Sequence, residues 1–134
     1  MSADTMTDLA GTVGTNLPYL RRYARALTGS QHTGDRYAAA TLEAILADDS
    51  VLRAAGDPKV ALFHAFHMVW SSAGAPLGVP DTRFSAIAQD HMAALTPNSR
   101  EALLLHSVEG FLHDEIAQIM QIDETEADRL IGAA

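Results

Sequence analysis

The stretch VEGFLHDEIAQIMQIDETEADRLIGAA, residues 108–134, decides the fold class of the C-terminal part of the chain. It contains a glycine that stops a preceding helix, a short amphipathic helix, a polar turn and a second helix, which is the pattern of a helix-turn-helix. The second helix, however, carries more acidic than basic residues: Asp123, Glu124, Glu126 and Asp128 against Arg129. Because DNA repels negative charge, this helix is unsuited to reading DNA.

The composition indicates a folded protein without thiol chemistry. The chain has 134 residues, of which 48% are apolar, and it has no cysteine, so disulfides, thiolate metal sites and a cysteine nucleophile are excluded. The formal net charge is −8: residues 1–70 hold seven acids and six bases, whereas residues 71–134 hold ten acids and three bases. The second part therefore repels a duplex or an anionic membrane, and we expect its partner to be a protein.

The chain has no segment typical of export or membrane insertion. The N-terminal sequence MSADTMTDLA is acidic and lacks an apolar run, so it does not resemble a signal peptide. The longest apolar stretch, VALFHAFHMVW at residues 60–70, is too short to span a bilayer. We expect a soluble, cytoplasmic protein.

Helical periodicity runs through the first half of the chain. One helical face is formed by Leu9, Val13, Leu17, Leu20, Ala24 and Leu27. Pro18 either opens a second helix or kinks one long helix, and Gly29 ends it. The next helix is predicted from about Thr33 to Ala47, with inward residues Ala38, Leu42, Ile45 and Leu46. A third helix begins at the Asp57-Pro58 cap and has a broad apolar face.

The segment SSAGAPLGVP, residues 71–80, is the best linker candidate, because it combines small residues, two glycines and two prolines without any charge. After it, Asp81 or Thr82 caps a helix with the apolar residues Phe84, Ile87, Ala88 and Leu95. Thr96-Pro97 begins another helix, which ends at Gly110. No useful run alternates with period two, so we predict an all-α fold of two lobes. A three-helix lobe spans residues 1–72, a linker 73–80, and a four-helix lobe 81–134.

Candidate catalytic or metal-binding groups are few. His64 and His67 are spaced to share a metal ion, but no third ligand stands beside them, and aromatic neighbours favour a core or interface role. His106 and His113 lie near acids but without a nucleophile or a phosphate loop. We therefore predict no catalytic residue, no metal and no cofactor. A small helical metal-dependent enzyme using His64 and His67 is kept as an alternative.

Residues 95–134 resemble the C-terminal DNA-binding lobe, region 4, of extracytoplasmic-function sigma factors. The residues that fit its pattern are Leu95, Pro97, Arg100, Glu101, Leu103, Leu104, Glu109, Gly110, Glu115, Ile116 and Ala117. The basic residues that such factors carry in the last helix are replaced by acids. Residues 17–46, LPYLRRYARALTGSQHTGDRYAAATLEAIL, resemble region 2 but lack its acidic polymerase-facing run. A genuine DNA-binding sigma factor is the first alternative function.

The same block at residues 17–46 closely resembles the sigma-like domain of the PhyR family, the alphaproteobacterial general-stress response regulators. The resemblance implies a decoy that binds the anti-sigma factor NepR and thereby releases the true sigma factor. In that family a receiver domain follows the sigma-like domain and covers it until phosphorylation, and we expect the receiver to be absent from this chain. The implied partners are NepR and, in cis, the receiver; nucleic acid and membrane are not expected.

We predict that the partner lies between the two lobes, against apolar residues that neither lobe buries alone. The third helix is apolar over more than one face and abuts the linker, and it contributes Phe63, Phe66, His67 and Trp70. The second lobe contributes Leu103, Leu104, Val108, Phe111, Leu112, Ile116 and Met120. Charged contacts at the rim are predicted at Arg21, Arg22 and Arg25.

Overall fold

The computed structural model of the chain describes residues 3–48, 50, 57–75 and 96–133, and all its elements in these ranges are helices. They are α1 (Ala3–Thr28), α2 (Gln31–Ala47), α3 (Pro58–Ser72), α4 (Pro97–Ser107), α5 (His113–Met120) and α6 (Glu124–Ala133). The all-α prediction is confirmed. The helix predicted around Phe84 and Ile87, and most of the predicted linker, lie outside the described residues.

The first helix is one long element. It continues through Pro18, so the alternative of a separate helix beginning there is wrong. Gly29 follows its last turn with φ +74°, a left-handed conformation that glycine adopts without a Cβ clash. The apolar residues that α1 buries, among those whose burial is described, are Leu20, Tyr23, Ala24 and Leu27. They lie on the face that the apolar periodicity predicts.

The second helix begins two residues earlier than predicted. Ser30 is its N-cap, and the Ser30 hydroxyl accepts a hydrogen bond from the backbone N–H of Thr33 at 3.2 Å. Its buried stripe is formed by Gly34, Ala38, Thr41 and Ile45. The prediction that Leu46 points inward is wrong, because Leu46 is 87% exposed. Leu46 directly follows the buried Ile45, and a step of one residue turns the side chain by about 100° around the helix, away from the buried stripe.

The third helix occupies the centre of the molecule. Asp57 caps it by accepting hydrogen bonds from the N–H groups of Lys59 and Val60, and Pro58 occupies its first turn, as predicted. This helix contacts α1 and α2 on one side and α5 on the other, and α1 also contacts α4. We use "first lobe" for α1–α3 and "second lobe" for α4–α6. The described parts of both lobes contribute to one hydrophobic core.

The second lobe contains the predicted helix-turn-helix. Thr96 caps α4 through its hydroxyl, which accepts from the N–H of Ser99, and Gly110 follows with φ +73°. The turn between α5 and α6 contains Gln121 in the left-handed conformation. The predicted end of the first lobe at residue 72 and the predicted start of the second lobe at residue 81 stay predictions.

Replacing Gly34 by alanine tests the packing of α2 on α1. A Cβ at Gly34 would lie 2.6 Å from the backbone N and Cα atoms of Arg25, so the two helices would have to move apart. We expect Gly34→Ala to lower the free energy of unfolding by roughly 1–3 kcal/mol in urea denaturation. Gly14→Ala is the control: it is exposed on α1 with open space around it, and should stabilise by about 0.5–1 kcal/mol. An unchanged free energy of unfolding for Gly34→Ala would contradict this packing of α2 on α1.

Candidate functional site

The junction between the two lobes contains a buried carboxylate. Glu101 of α4 is fully buried, and its carboxylate accepts hydrogen bonds from the Nδ1–H of His67 at 2.8 Å and from the hydroxyl of Tyr23 at 3.3 Å. Burial, and after it the negative charge of Glu101, raise the pKa of Tyr23 well above its usual range. Tyr23 therefore stays protonated as a donor. Both donors belong to the first lobe and the acceptor to the second.

A second carboxylate, that of Glu109, is buried at the same junction. Its side chain is 0% exposed, and the Arg22 guanidinium donates to both of its oxygens at 3.1 Å. The ammonium of Lys59 lies 4.0 Å away. Because the Arg22 side chain is 53% exposed, water weakens the attraction itself. Without its cations, however, Glu109 would be a buried and uncompensated charge, which is strongly unfavourable.

Two further hydrogen bonds join the lobes through backbone carbonyls. The buried guanidinium of Arg100 donates to the carbonyl of Leu27 at 3.1 Å, and burial lowers the pKa of Arg100. His64 donates from Nδ1 to the carbonyl of Ile119 at 2.9 Å. Around these polar contacts the junction is apolar: the rings of Phe63 and Phe111 meet edge to face, with centroids 5.1 Å apart.

Half of the predicted contact residues lie in the shared core. They are Phe63, Phe66, Trp70, Leu104, Phe111, Ile116 and Met120. These side chains are buried in the hydrophobic core to which both lobes contribute, so they do not line an open groove. A partner contact through them stays a prediction, and it requires that core to open.

The other predicted contact residues are more accessible. Val108 is 43% and Leu112 64% exposed, Arg21 is exposed, and Leu103 is half-buried. Arg22 and His67 bind the carboxylates of the second lobe. Arg25 instead pairs with Asp35, at 2.7 Å, inside the first lobe.

The junction also contains residues that the sequence analysis did not select. Tyr23 was not selected, and Glu101 and Glu109 were noted only as residues that fit the sigma-factor region 4 pattern. The sequence does contain one indication that Arg100 and Glu101 are buried. They lie one helical turn before the apolar residues Leu104 and Leu105, so they are on the same, buried face of α4. Within the described ranges, no three His, Asp or Glu side chains are grouped to hold a metal ion.

The last helix is acidic on its outer face. Asp123 accepts a hydrogen bond from the N–H of Glu126 at 2.7 Å at the start of the helix. Arg129 is bound to Glu126, and this hydrogen bond lowers the pKa of Glu126. Asp128 is paired with His113. The basic side chain of this helix is therefore already occupied by an acid of the same helix.

The arrangement of the lobes is that of a sigma factor. The sigma factor RpoE of Bartonella quintana, solved in complex with the anti-sigma factor NepR, is 16% identical and superposes with a TM-score of 0.77 over 94% of this chain and 91% of its own. The Sigma2 domain of PhyR matches residues 13–67, and the sigma-like domain of the response regulator PhyR matches residues 92–134. The chain belongs to the PhyR family of sigma-like domains, as predicted.

Two relatives show how far the similarity extends. The phyllosphere-induced regulator PhyR of Methylorubrum extorquens is 37% identical over 119 residues, which are 89% of this chain and 45% of the relative. The chain thus spans less than half of that protein. The PhyR sigma-like domain of Sphingomonas sp. Fr1, solved in complex with NepR, is 38% identical, with a TM-score of 0.78 over 93% of this chain and 83% of its own. Since this superposition includes both lobes, they have a similar mutual arrangement in that domain.

In the described part of the chain, no helix combines the length and apolarity that a membrane crossing requires.

The buried phenol of Tyr23 predicts a loss of stability at alkaline pH. The folded protein holds the Tyr23 proton to a higher pH than the unfolded chain does, so unfolding releases a proton above about pH 10. The stability present below that pH therefore falls as pH rises. We expect Tyr23→Phe to be less stable at pH 8 by about 1 kcal/mol, because Glu101 loses a donor, but to lose less stability between pH 9 and 11.

Urea denaturation at each pH measures this difference. Tyr19→Phe is the matched control, because the Tyr19 ring is 43% exposed, and it should keep the pH dependence of the wild type. Equal alkaline slopes for Tyr23→Phe and the wild type would contradict the role given to the buried phenol.

Proposed function

We propose that this chain is a non-enzymatic sigma-factor mimic that binds an anti-sigma factor of the NepR type and so releases the true sigma factor of a general stress response. One observation carries the proposal: the described lobes superpose together on a PhyR domain that was solved in complex with NepR. A surface that has the shape of a sigma factor can occupy an anti-sigma factor in the sigma factor's place. The proposed action is competitive binding, without any chemical step.

The charge of α6 supports mimicry over transcription initiation. In a helix-turn-helix the second helix lies in the major groove, between two rows of phosphates. Here the exposed acids are Asp123, directly before that helix, and Glu124 and Asp128 within it, and Arg129 is bound to Glu126. Negative charge at this position rejects DNA and leaves protein recognition elsewhere on the lobe intact. This argues against the alternative of a DNA-binding sigma factor.

We further propose that binding occurs while the lobes remain packed. Separating them would strip Glu101 and Glu109 of their donors and expose the aromatic contact of Phe63 with Phe111. Contacts with a small helical partner would have to replace the lost hydrogen bonds and the lost apolar contact. Binding to the outer surface of the packed lobes requires none of these interactions to break.

In a longer protein, a receiver domain in cis could regulate this binding. The family model that matches residues 92–134 is that of the response regulator PhyR, and the M. extorquens protein is more than twice as long as the matched part. Such a domain controls binding if it contacts the same surface as the anti-sigma factor and phosphorylation weakens that contact. The proposed mimicry implies that the chain acts in the cytoplasm, where RNA polymerase works.

Isothermal titration with the NepR-type protein of the same organism tests the proposal. We expect one-to-one binding that the organism's own sigma factor competes away. Fluorescence anisotropy with a labelled promoter duplex should show no binding even at low salt, where phosphate contacts are strongest. Tight duplex binding without anti-sigma binding would support the sigma-factor alternative and end the proposal.

A further inference from the structure

The sulfur atoms of this chain all belong to methionines, because the sequence has five methionines and no cysteine. An oxidant such as hydrogen peroxide therefore meets no thiolate, and oxidation of sulfur can occur only at a thioether. Among the methionines whose burial is described, Met68 is 40% exposed and Met120 is 4% exposed. Since the oxidant has to reach the thioether from solvent, these two residues should differ in reactivity.

Met68 lines an open groove between α2 and α3. The groove has a volume of about 410 Å³, and hydrogen peroxide is only slightly larger than water, which occupies about 30 Å³ in the liquid. The residues that line the groove are Ala44, Ile45, Asp48, Ala65, Met68, Val69 and Ser72. Met120 instead lies on α5, within the core to which both lobes contribute. The oxidant can therefore reach Met68 in the folded chain, whereas it reaches Met120 only when the core opens.

The reaction at Met68 is an oxygen transfer. The sulfur lone pair attacks the terminal oxygen of the peroxide, an S–O bond forms, and the O–O bond breaks. The proton of the transferred oxygen moves to the departing oxygen, which leaves as water. The thioether is oxidised by two electrons and the peroxide is reduced by two, so the products are methionine sulfoxide and one water molecule.

The sulfoxide changes the groove and leaves the lobe junction alone. Most of the groove lining is apolar, and the sulfoxide oxygen adds a hydrogen-bond acceptor to it. Ser72 lies one helical turn after Met68 and also lines the groove, so its hydroxyl can donate to this oxygen. The lining residues all belong to the first lobe, whereas the neighbouring His67 binds Glu101 at the junction. Oxidation of Met68 therefore leaves the contacts between the lobes in place.

We propose that Met68 is an oxidation site of the folded chain: hydrogen peroxide converts Met68 to the sulfoxide in preference to Met120, and the groove between α2 and α3 becomes polar while the lobes stay packed. The modification is reversible, because methionine sulfoxide reductases return the sulfoxide to the thioether. Oxidation at Met68 is independent of the proposed function, since it requires no partner.

Peptide mapping by mass spectrometry measures the oxidation of each methionine. The chain is treated with hydrogen peroxide, quenched at intervals and cleaved with trypsin, which separates Met68 from Met120 at Arg100. We expect the Met68 peptide to gain one oxygen atom about tenfold faster than the Met120 peptide, the ratio of their exposures of 40% and 4%. In urea, where both side chains are accessible, the two rates should become equal. A pair of methionine sulfoxide reductases, one for each epimer, should remove the oxygen in the presence of dithiothreitol.

Met68→Leu is the control for this measurement, because the same peptide contains Trp70, which peroxide can also oxidise. The added oxygen should disappear from the Met68→Leu peptide. Its persistence there would assign the oxidation to another residue and overturn the proposal. Equal rates for Met68 and Met120 in the folded chain, or a faster rate for Met120, would overturn it as well.

Met68→Gln and Met120→Gln form a matched pair for the structural consequence, because glutamine resembles methionine sulfoxide in length and polarity. We expect Met68→Gln to shift the melting temperature by less than about 2 °C and Met120→Gln to lower it by about 5 °C or more, since only the second change places polar atoms in the core. If Met68→Gln melts as low as Met120→Gln, the fold does not tolerate a polar group at Met68, and oxidation with the lobes still packed is ruled out.

Discussion

The structure depends on two carboxylates of the second lobe that can be buried only against donors of the first. Glu101 receives hydrogen bonds from His67 and Tyr23, and Glu109 receives them from Arg22. A buried carboxylate without donors is strongly unfavourable, so any packing of the lobes that moves these groups apart is disfavoured. Apolar contact alone, such as that of Phe63 with Phe111, tolerates several orientations. The ion pairs and hydrogen bonds select one of them.

This use of charge shows how a domain can have the fold of a sigma factor and yet carry a different charge on the second helix of its helix-turn-helix. Three charged residues that mark α4 and the turn after it as sigma-like, Arg100, Glu101 and Glu109, all contact the first lobe. They maintain the architecture. The exposed acids of α6 are a different set of residues, and in the proposed function they disfavour DNA. Architecture and charge are thus controlled by different residues, and one can change while the other is kept.

Local structure was predictable from the sequence because its causes are local. Caps at Asp57 and Thr96 and the helix end at Gly29 depend on neighbouring residues, and the structure has all three. The contacts of Tyr23 with Glu101 and of Arg22 with Glu109 join residues 78 and 87 positions apart, and one sequence contains no signal for such pairs. Apolarity also does not distinguish a core residue from a contact residue. For that reason half of the predicted contact residues lie in the shared core.

We propose that the lobes stay packed when the anti-sigma factor binds, and a measurement of the distance between the lobes tests this proposal. Because the chain has no cysteine, spin labels can be attached to single cysteines introduced at exposed Glu43 of α2 and Gln118 of α5 without other changes. Pulsed electron paramagnetic resonance then gives the distance distribution with and without saturating NepR-type protein. We expect one narrow distribution at the same distance in both samples. A longer or broader distribution on binding would show that the lobes separate and would contradict packed binding.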